Sequence, residues 1–473
     1  MRKWVWAALL LICACDTSAR SAQPSSENTF LIVADIHFNP MADAALLPSL
    51  SGAEPAQWEA ILRRSRRTAF SQYGEDTNWW LLQSSLDQMR VTLPHPAFIM
   101  VNGDLLAHRF PQLWQNATHD DSREHYRNFV LKTVEFIALQ FRRRFPATKI
   151  LLTPGNNDDD CGDYNIEAGG PFLHDTAGLA RNLARADTQF AAFWQALGSY
   201  DMPHPAIRGM RIIALNTVFF SGNYRALSFG SGCAPAESHA ADDLFAWLES
   251  RLSSARQAHE KIWLMFHIPP GMDGYSTLQK YLSARKQKPA EADGELCASS
   301  LVPMWVPELS VRFENLLEKY RDTILASFAG HTHTDDFRVM GPSGSFVLIS
   351  PPISPIYNQN PAYRTVVFAQ DGSLLDSAVY YLSNLPFAGG NTRPVWKREY
   401  DFSREWKTRR IDAASLAVLY GRIRSGQAES NEWLKLLNVS SAAAYLPAGG
   451  ASATSCAIEA LHPETYRKCY CAR

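Results

Sequence analysis

The chain has no excess of charge of either sign: 46 lysines and arginines face 47 aspartates and glutamates in 473 residues, a formal net charge of -1. Nothing global therefore draws it to nucleic acid or to an anionic membrane surface, and an anionic ligand needs a local attractor such as bound cations. Beyond the first dozen residues no apolar stretch is long enough to span a bilayer. No internal repeat is visible, which excludes solenoids and propellers. None of the eight cysteines has metal-site spacing, so a structural zinc is not expected. No Gly-x-Ser-x-Gly elbow lies in a strand–turn–helix context, which argues against a Ser-His-Asp hydrolase.

What is present is an ordinary globular composition, 46% hydrophobic and 11% aromatic, in a chain long enough for two or three domains. The N-terminus reads as an export signal, with basic Arg2 and Lys3 followed by the short apolar run Trp4 to Ile12. Ile12-Cys13-Ala14-Cys15 resembles the lipobox of bacterial lipoproteins, which implies a lipidated Cys15 and a protein held in the cell envelope or periplasm. Cleavage after a small residue such as Ala19 is the alternative and implies secretion. Removing the signal leaves six cysteines, an even number that suggests disulfides in an exported chain. Cys456 with Cys469 or Cys471 is the favoured local pair.

After a polar tether, short apolar runs alternate with helical patterns, as expected for an α/β domain. Five runs end in metal-capable side chains. Phe30 to Ala34 leads to Asp35 and His37, and Ala97 to Val101 leads to Asn102-Gly103-Asp104. Lys149 to Leu152 leads to Gly155-Asn156-Asn157-Asp158, Ile262 to Phe266 leads to His267, and Ile324 to Ala329 leads to Gly330-His331-Thr332-His333. Ligands collect at the carboxyl ends of strands in α/β sheets because the loops there converge on a crevice. Arg211 to Leu215 is a further core strand with no ligand. Helices are expected over Tyr126 to Arg144, Leu179 to Leu197, Ala240 to Ala255 and Val311 to Tyr320, the first with Phe129, Val130, Thr133, Phe136, Ile137 and Phe141 on one face. Arg142-Arg143-Arg144 reads as its solvated end, and Met272 to Pro307 reads as a long loop near the site. The expected organisation is residues 1–22 as signal and tether, 23–395 as the catalytic domain and 396–473 as a small helical subdomain containing cysteines.

Each of these residues means little alone; the ordered ensemble points to metal. Two divalent ions about 3.5–4 Å apart can neutralise phosphoryl oxygens, hold a hydroxide nucleophile and align an in-line displacement. Asp104 is the candidate bridging carboxylate. Asp35, His37 and His333 complete one site; Asn156, His267 and His331 complete the other. Such mixed ligation suits zinc, iron or manganese.

The pattern resembles the calcineurin-like metallophosphoesterases. Gly103-Asp104-Leu105-Leu106-Ala107-His108, His267-Ile268-Pro269-Pro270-Gly271, Gly330 to Asp335, Asn360 to Arg364 and the cysteine-tailed C-terminus narrow the resemblance to the acid sphingomyelinase-like branch, over about residues 30 to 473. It implies an α/β, four-layer αββα sandwich, the ligand set above, zinc as the usual metal and phosphodiesterase activity. Two departures stand out. Where the family commonly has Gly-Asn-His this chain has Asn157, which cannot act as an acid but can donate a hydrogen bond. His108, matching a histidine that the branch places beside the phosphate, is then the candidate general acid, with Asn157 steering a phosphoryl oxygen. Gly-Asn-Asn-Asp also resembles endopolyphosphatases, for which Arg63, Arg64, Arg66 and Arg67 could contribute a basic groove, although a solvated helix face is the favoured reading of these arginines. The second departure is that only a short tether precedes Phe30, with no lipid-extracting saposin domain. Small phosphoesters, nucleotides or polyphosphate are thus expected substrates alongside sphingomyelin, and a non-catalytic envelope binding protein is the alternative from a different class.

Overall fold

The computed structural model describes residues 28–224, 239–444 and 449–472. The expected export signal, Cys15 and Cys233 lie outside the described residues. Two six-stranded sheets carry the fold. In the first, β1 (Thr29–Val33), β2 (Ile99–Asn102) and β3 (Ile150–Thr153) run parallel. The second contains β4 (Tyr200–Pro203), β5 (Met210–Leu215), β6 (Lys261–Phe266), β7 (Ile324–Ala329), β8 (Asp336–Val339) and β9 (Phe346–Ile349). Its order is β4-β5-β6-β7-β9-β8, parallel from β5 to β9 with antiparallel edges. Then β10 (Ala362–Phe368), β11 (Leu374–Leu382) and β12 (Trp396–Asp401) return antiparallel to extend the first sheet beyond β1.

The parallel strands are apolar over most of their length, as expected of strands covered on both faces. Phe30 lies 5.4 Å from Trp263 and 5.5 Å from Phe328, ring centre to ring centre, so the two sheets meet face to face in an aromatic core. Helices cover the outer faces. Arg123–Arg144 starts on a Ser122 cap and sets Phe136 against Phe38 and Trp79, over the first sheet. Ala240–Gln257 and Pro307–Lys319 cover the second, with Phe245 on Phe220 and Phe313 on Phe266. The expected four layers are present.

Four local expectations need correction. The single helix expected over Leu179 to Leu197 is two, Pro171–Ala184 and Thr188–Leu197, broken where Arg185 turns left-handed and Asp187 caps the next amides. Arg142-Arg143-Arg144 is tied down rather than merely solvated: Arg143 pairs with Glu59, and Arg144 with Asp87 at 2.7 Å. The helical texture expected from Trp396 begins only at Phe402, because Trp396–Asp401 pairs with β11 as the edge of the first sheet. The stretch Met272 to Pro307 is no loop: it holds helices Gly274–Gln287 and Asp293–Ser299. Asp273 accepts from the Ser276 amide to start the first, and Leu278 packs with Cys456, Ala457 and Tyr466 of the C-terminal tail. These partners are some 180 residues distant, so the local sequence shows only its Gly and Ser.

Two disulfides fasten the tail. Cys456 bonds Cys469, one of the two expected local pairs, and Cys471 reaches back to Cys297, 174 positions away. On the chain-entropy account a crosslink over a loop of that length is worth nearly 5 kcal/mol, against about 3 kcal/mol for a loop of some 15 residues. Replacing both Cys297 and Cys471 with alanine is therefore expected to lower the thermal midpoint more than replacing Cys456 and Cys469. Calorimetry of the two double variants checks the order.

Candidate metal centre

The strands deliver the expected ligands to one place. Asp35 and His37 follow β1, Asp104 follows β2, Asn156 follows β3, His267 follows β6, and His331 and His333 follow β7. Backbone hydrogen bonds zip the first two loops together: the amides of Asp35, His37 and Phe38 donate to the carbonyls of Gly103, Asp104 and Leu105 at 3.2, 2.9 and 2.7 Å. Asp158 locks the third loop in, accepting from the amides of Leu105 at 2.6 Å, Leu106 at 3.1 Å and Gly155 at 2.9 Å.

The backbone is strained where the ligands sit. Asp35, His37, Asp104, His331 and His333 have φ of 51°, 44°, 54°, 72° and 54°. A residue with a side chain seldom enters this left-handed region, and each such case costs on the order of 1–3 kcal/mol. Clustering of five in one site marks strain retained for function. The turns also demand glycine: a Cβ on Gly155 would lie 2.1 Å from the Asp104 carboxylate and 2.2 Å from its amide nitrogen. Gly155→Ala is accordingly expected to push Asp104 out of place, destabilising the chain by about 1–3 kcal/mol and lowering its metal content. Denaturant titration and metal analysis read the two effects.

At the centre, Asp104 Oδ2 lies 3.3 Å from His37 Nε2 and 3.3 Å from His267 Nε2. His333 Nε2 is 3.0 Å from His37 Nε2 and 3.6 Å from Asp35 Oδ1. On the other side Asn156 Oδ1 is 3.0 Å from His267 Nε2, and His331 joins Asp104 and His267 in a second group of converging ligand atoms. His108 stands against the first group, its ring stacked on His37 at 3.9 Å. Asn157 donates its backbone amide to Asp104 Oδ1 and its side-chain amide to Oδ2, each at 2.9 Å. The hydrogen bonds it makes are thus to Asp104, and the sequence-based expectation of a phosphate-steering amide has to accommodate that.

The donor set fits cations. His37 donates Nδ1–H to the Leu106 carbonyl at 2.9 Å, which turns the lone pair of Nε2 inward. Burial and neighbouring His108 lower His37 to about 4, so this imidazole stays neutral. Burial also drives His333 well below the ordinary range, and its Nδ1 is buried without a partner. Two neutral imidazoles therefore face each other across 3.0 Å beside a carboxylate. Burial raises Asp35 to about 7; burial opposes protonation of His267, but Asp104 outweighs it and lifts His267 to about 9.

Several contributors were invisible in the sequence. Asp76 takes His108 from two directions, accepting from its backbone amide at 2.8 Å and from Nδ1 at 3.0 Å. Burial works against protonation of His108, yet the Asp76 hydrogen bond outweighs it and raises the pKa. Asp163 accepts from Asn156 Nδ2 at 2.7 Å and so turns Oδ1 of that amide toward His267. The Tyr357 ring stands nearly perpendicular to His333 at 4.8 Å and to His108 at 5.6 Å, centre to centre. Of these only Asp163 lies near a motif; nothing in the local sequence singles out Asp76 or Tyr357.

The calcineurin-like phosphoesterase profile matches residues 29–335, the stretch that carries every ligand above. The chain belongs to that family. Within the family it is similar to a Dictyostelium discoideum protein named sphingomyelinase phosphodiesterase D, 24% identical over 404 residues, covering 79% of each chain. It is 24% identical to the human acid sphingomyelinase-like phosphodiesterase 3b over 408 residues, covering 83% of this chain and 80% of the relative. A human cyclic GMP-AMP phosphodiesterase is 26% identical over 231 residues, 46% of this chain and 44% of the relative. A dimetal phosphatase structure from Danio rerio gives a TM-score of only 0.40 at 11% identity, over 80% of this chain and all of that one. The chain is accordingly a phosphoric ester hydrolase of the metallophosphoesterase type.

Proposed function

We propose that this hydrolase is a two-metal phosphodiesterase acting on small phosphodiesters. One observation carries the reading: a single buried carboxylate, Asp104, stands 3.3 Å from imidazole nitrogens belonging to two separate ligand groups. Asp35, His37 and His333 would hold one cation with Asp104; Asn156, His267 and His331 would hold the other. When bound, the two ions supply charge neutralisation at the phosphoryl oxygens and acidify a water for in-line attack. Zinc is the metal we propose, with iron and manganese as alternatives for the same imidazole, carboxylate and amide donors.

The chain's own groups do the rest. His108 is the general acid: Asp76 fixes Nδ1, which leaves Nε2 to carry the proton to the leaving oxygen. Asn157 holds both oxygens of Asp104 in place, a positioning role in place of the phosphate contact expected of it. The metal-loaded protein is expected to hydrolyse bis(4-nitrophenyl) phosphate and to lose that activity on chelation, regaining it when zinc or manganese returns. Failure of metal to restore hydrolysis of any ester would favour a non-catalytic binding protein instead. Turnover of polyphosphate in preference to every diester would favour the anhydride-cleaving alternative. The disulfides support export into an oxidising compartment. No described helix is long and apolar enough to cross a membrane; attachment through a lipidated Cys15, or simple secretion, completes the proposal.

A further inference from the structure

A cavity of about 800 Å³ opens beside His108, and none of the candidate metal ligands lines it. His108 and Asp76, the proposed proton donor and its partner, are both in its lining. Arg66, Arg67 and Arg109 also line it. The four arginines that looked alike in the sequence are thereby separated: Arg63 pairs with Glu59 at 2.8 Å on the exposed helix face, whereas Arg66 and Arg67 turn to the cavity.

Of the three arginines lining the cavity, Arg67 spends a donor on the Ala42 carbonyl at 3.2 Å, which leaves Arg66 and Arg109. Among the described residues neither Arg66 nor Arg109 has an ion-pair or hydrogen-bond partner for its guanidinium, although both are exposed. On the wall, Trp79 and Trp80 each hold a buried indole N–H without an acceptor. The carboxylates nearby are engaged: Asp43 by the Ser65 hydroxyl at 2.6 Å, Glu75 by the Gln72 amide at 2.8 Å, and Asp76 by His108. Arg109 also has a φ of 51°, a strained backbone for an arginine and one that the chain adopts directly after His108. The helix Phe110–Thr118 begins at this point with no side chain capping its first amides.

We propose that this cavity is a subsite for a second phosphate, carried by the leaving group of the substrate. The inference rests on the phosphodiesterase reading and narrows it: the favoured substrates are those whose departing half bears its own phosphate, held by Arg66 and Arg109 while His108 protonates the bridging oxygen. Guanidinium groups left without carboxylate partners suit phosphate because their fork of N–H donors matches two phosphate oxygens.

Binding tests this without relying on turnover. Calorimetry on the full-length, metal-loaded protein would compare thymidine 3′,5′-bisphosphate with the 3′- and 5′-monophosphates. The bisphosphate is expected to bind at least about tenfold more tightly than either monophosphate, the value of one charged hydrogen-bonded contact. Arg66→Ala with Arg109→Ala should erase that difference, and Arg66→Lys with Arg109→Lys should keep part of it. Equal affinities for mono- and bisphosphates in the unaltered protein, or a preference that survives in the double alanine variant, would overturn the proposal. Because no hydrolysis enters the readout, loss of the phosphodiesterase reading would appear separately, as absence of turnover of any diester.

Discussion

Asp104→Asn is expected to lower phosphodiester turnover by about a thousandfold or more, the consequence of forfeiting several kcal/mol of transition-state stabilisation. The variant keeps the shape of the side chain but removes a negative charge lying 3.3 Å from both His37 and His267. It also offers one acceptor where two are used, since Asn157 donates to each Asp104 oxygen. In the native site, burial disfavours the Asp104 carboxylate, but the imidazoles of His267 and His37 outweigh that cost and hold it well below the usual carboxylate range. The loss should therefore appear as metal content as well as rate. Steady-state kinetics, metal analysis and far-ultraviolet circular dichroism on one preparation would separate a broken site from a broken fold. Near-normal turnover by a fully folded variant would remove Asp104 from the site.

His108→Ala is expected to reveal a general acid by its dependence on the leaving group. Loss of a positioned proton donor costs about 10²–10⁴ in rate when the departing alkoxide is a poor leaving group. A nitrophenolate leaves without a proton, so the same variant should lose less than about tenfold on a nitrophenyl diester. Asp76→Asn should give an intermediate effect in the same sense, because it keeps a side chain beside Nδ1 but removes the carboxylate 3.0 Å away that fixes the ring and raises its pKa. Comparing kcat on thymidylyl-thymidine and on bis(4-nitrophenyl) phosphate tests both variants. Equal losses on the two substrates would leave His108 a structural residue stacked on His37.

The convergence of the candidate ligands was legible because the parallel part of the fold writes them plainly. β1, β2, β3, β6 and β7 are fully apolar over most of their length, and each is followed within four residues by a carboxylate, amide or imidazole. That arrangement follows from strands buried on both faces whose carboxyl ends open on one crevice. What stayed hidden depends on contacts between distant segments. Asp76 lies 32 positions from His108 in a stretch of turns, and Leu278 is buried only because the C-terminal tail folds over it. β12 reads as polar, with Lys397, Arg398 and Glu399 in a row, since it is an edge strand with one neighbour. The left-handed conformations of Asp35, His37, Asp104, His331 and His333 leave no mark in the sequence at all.

Sharing of Asp104 by two cations is tested most directly by diffraction from crystals soaked in zinc or manganese. Anomalous difference maps are expected to contain two peaks about 3.5–4 Å apart, with Asp104 between them, His37 and His333 on one and His267 and His331 on the other. A single peak, or two peaks too far apart for one carboxylate to bridge, would contradict it.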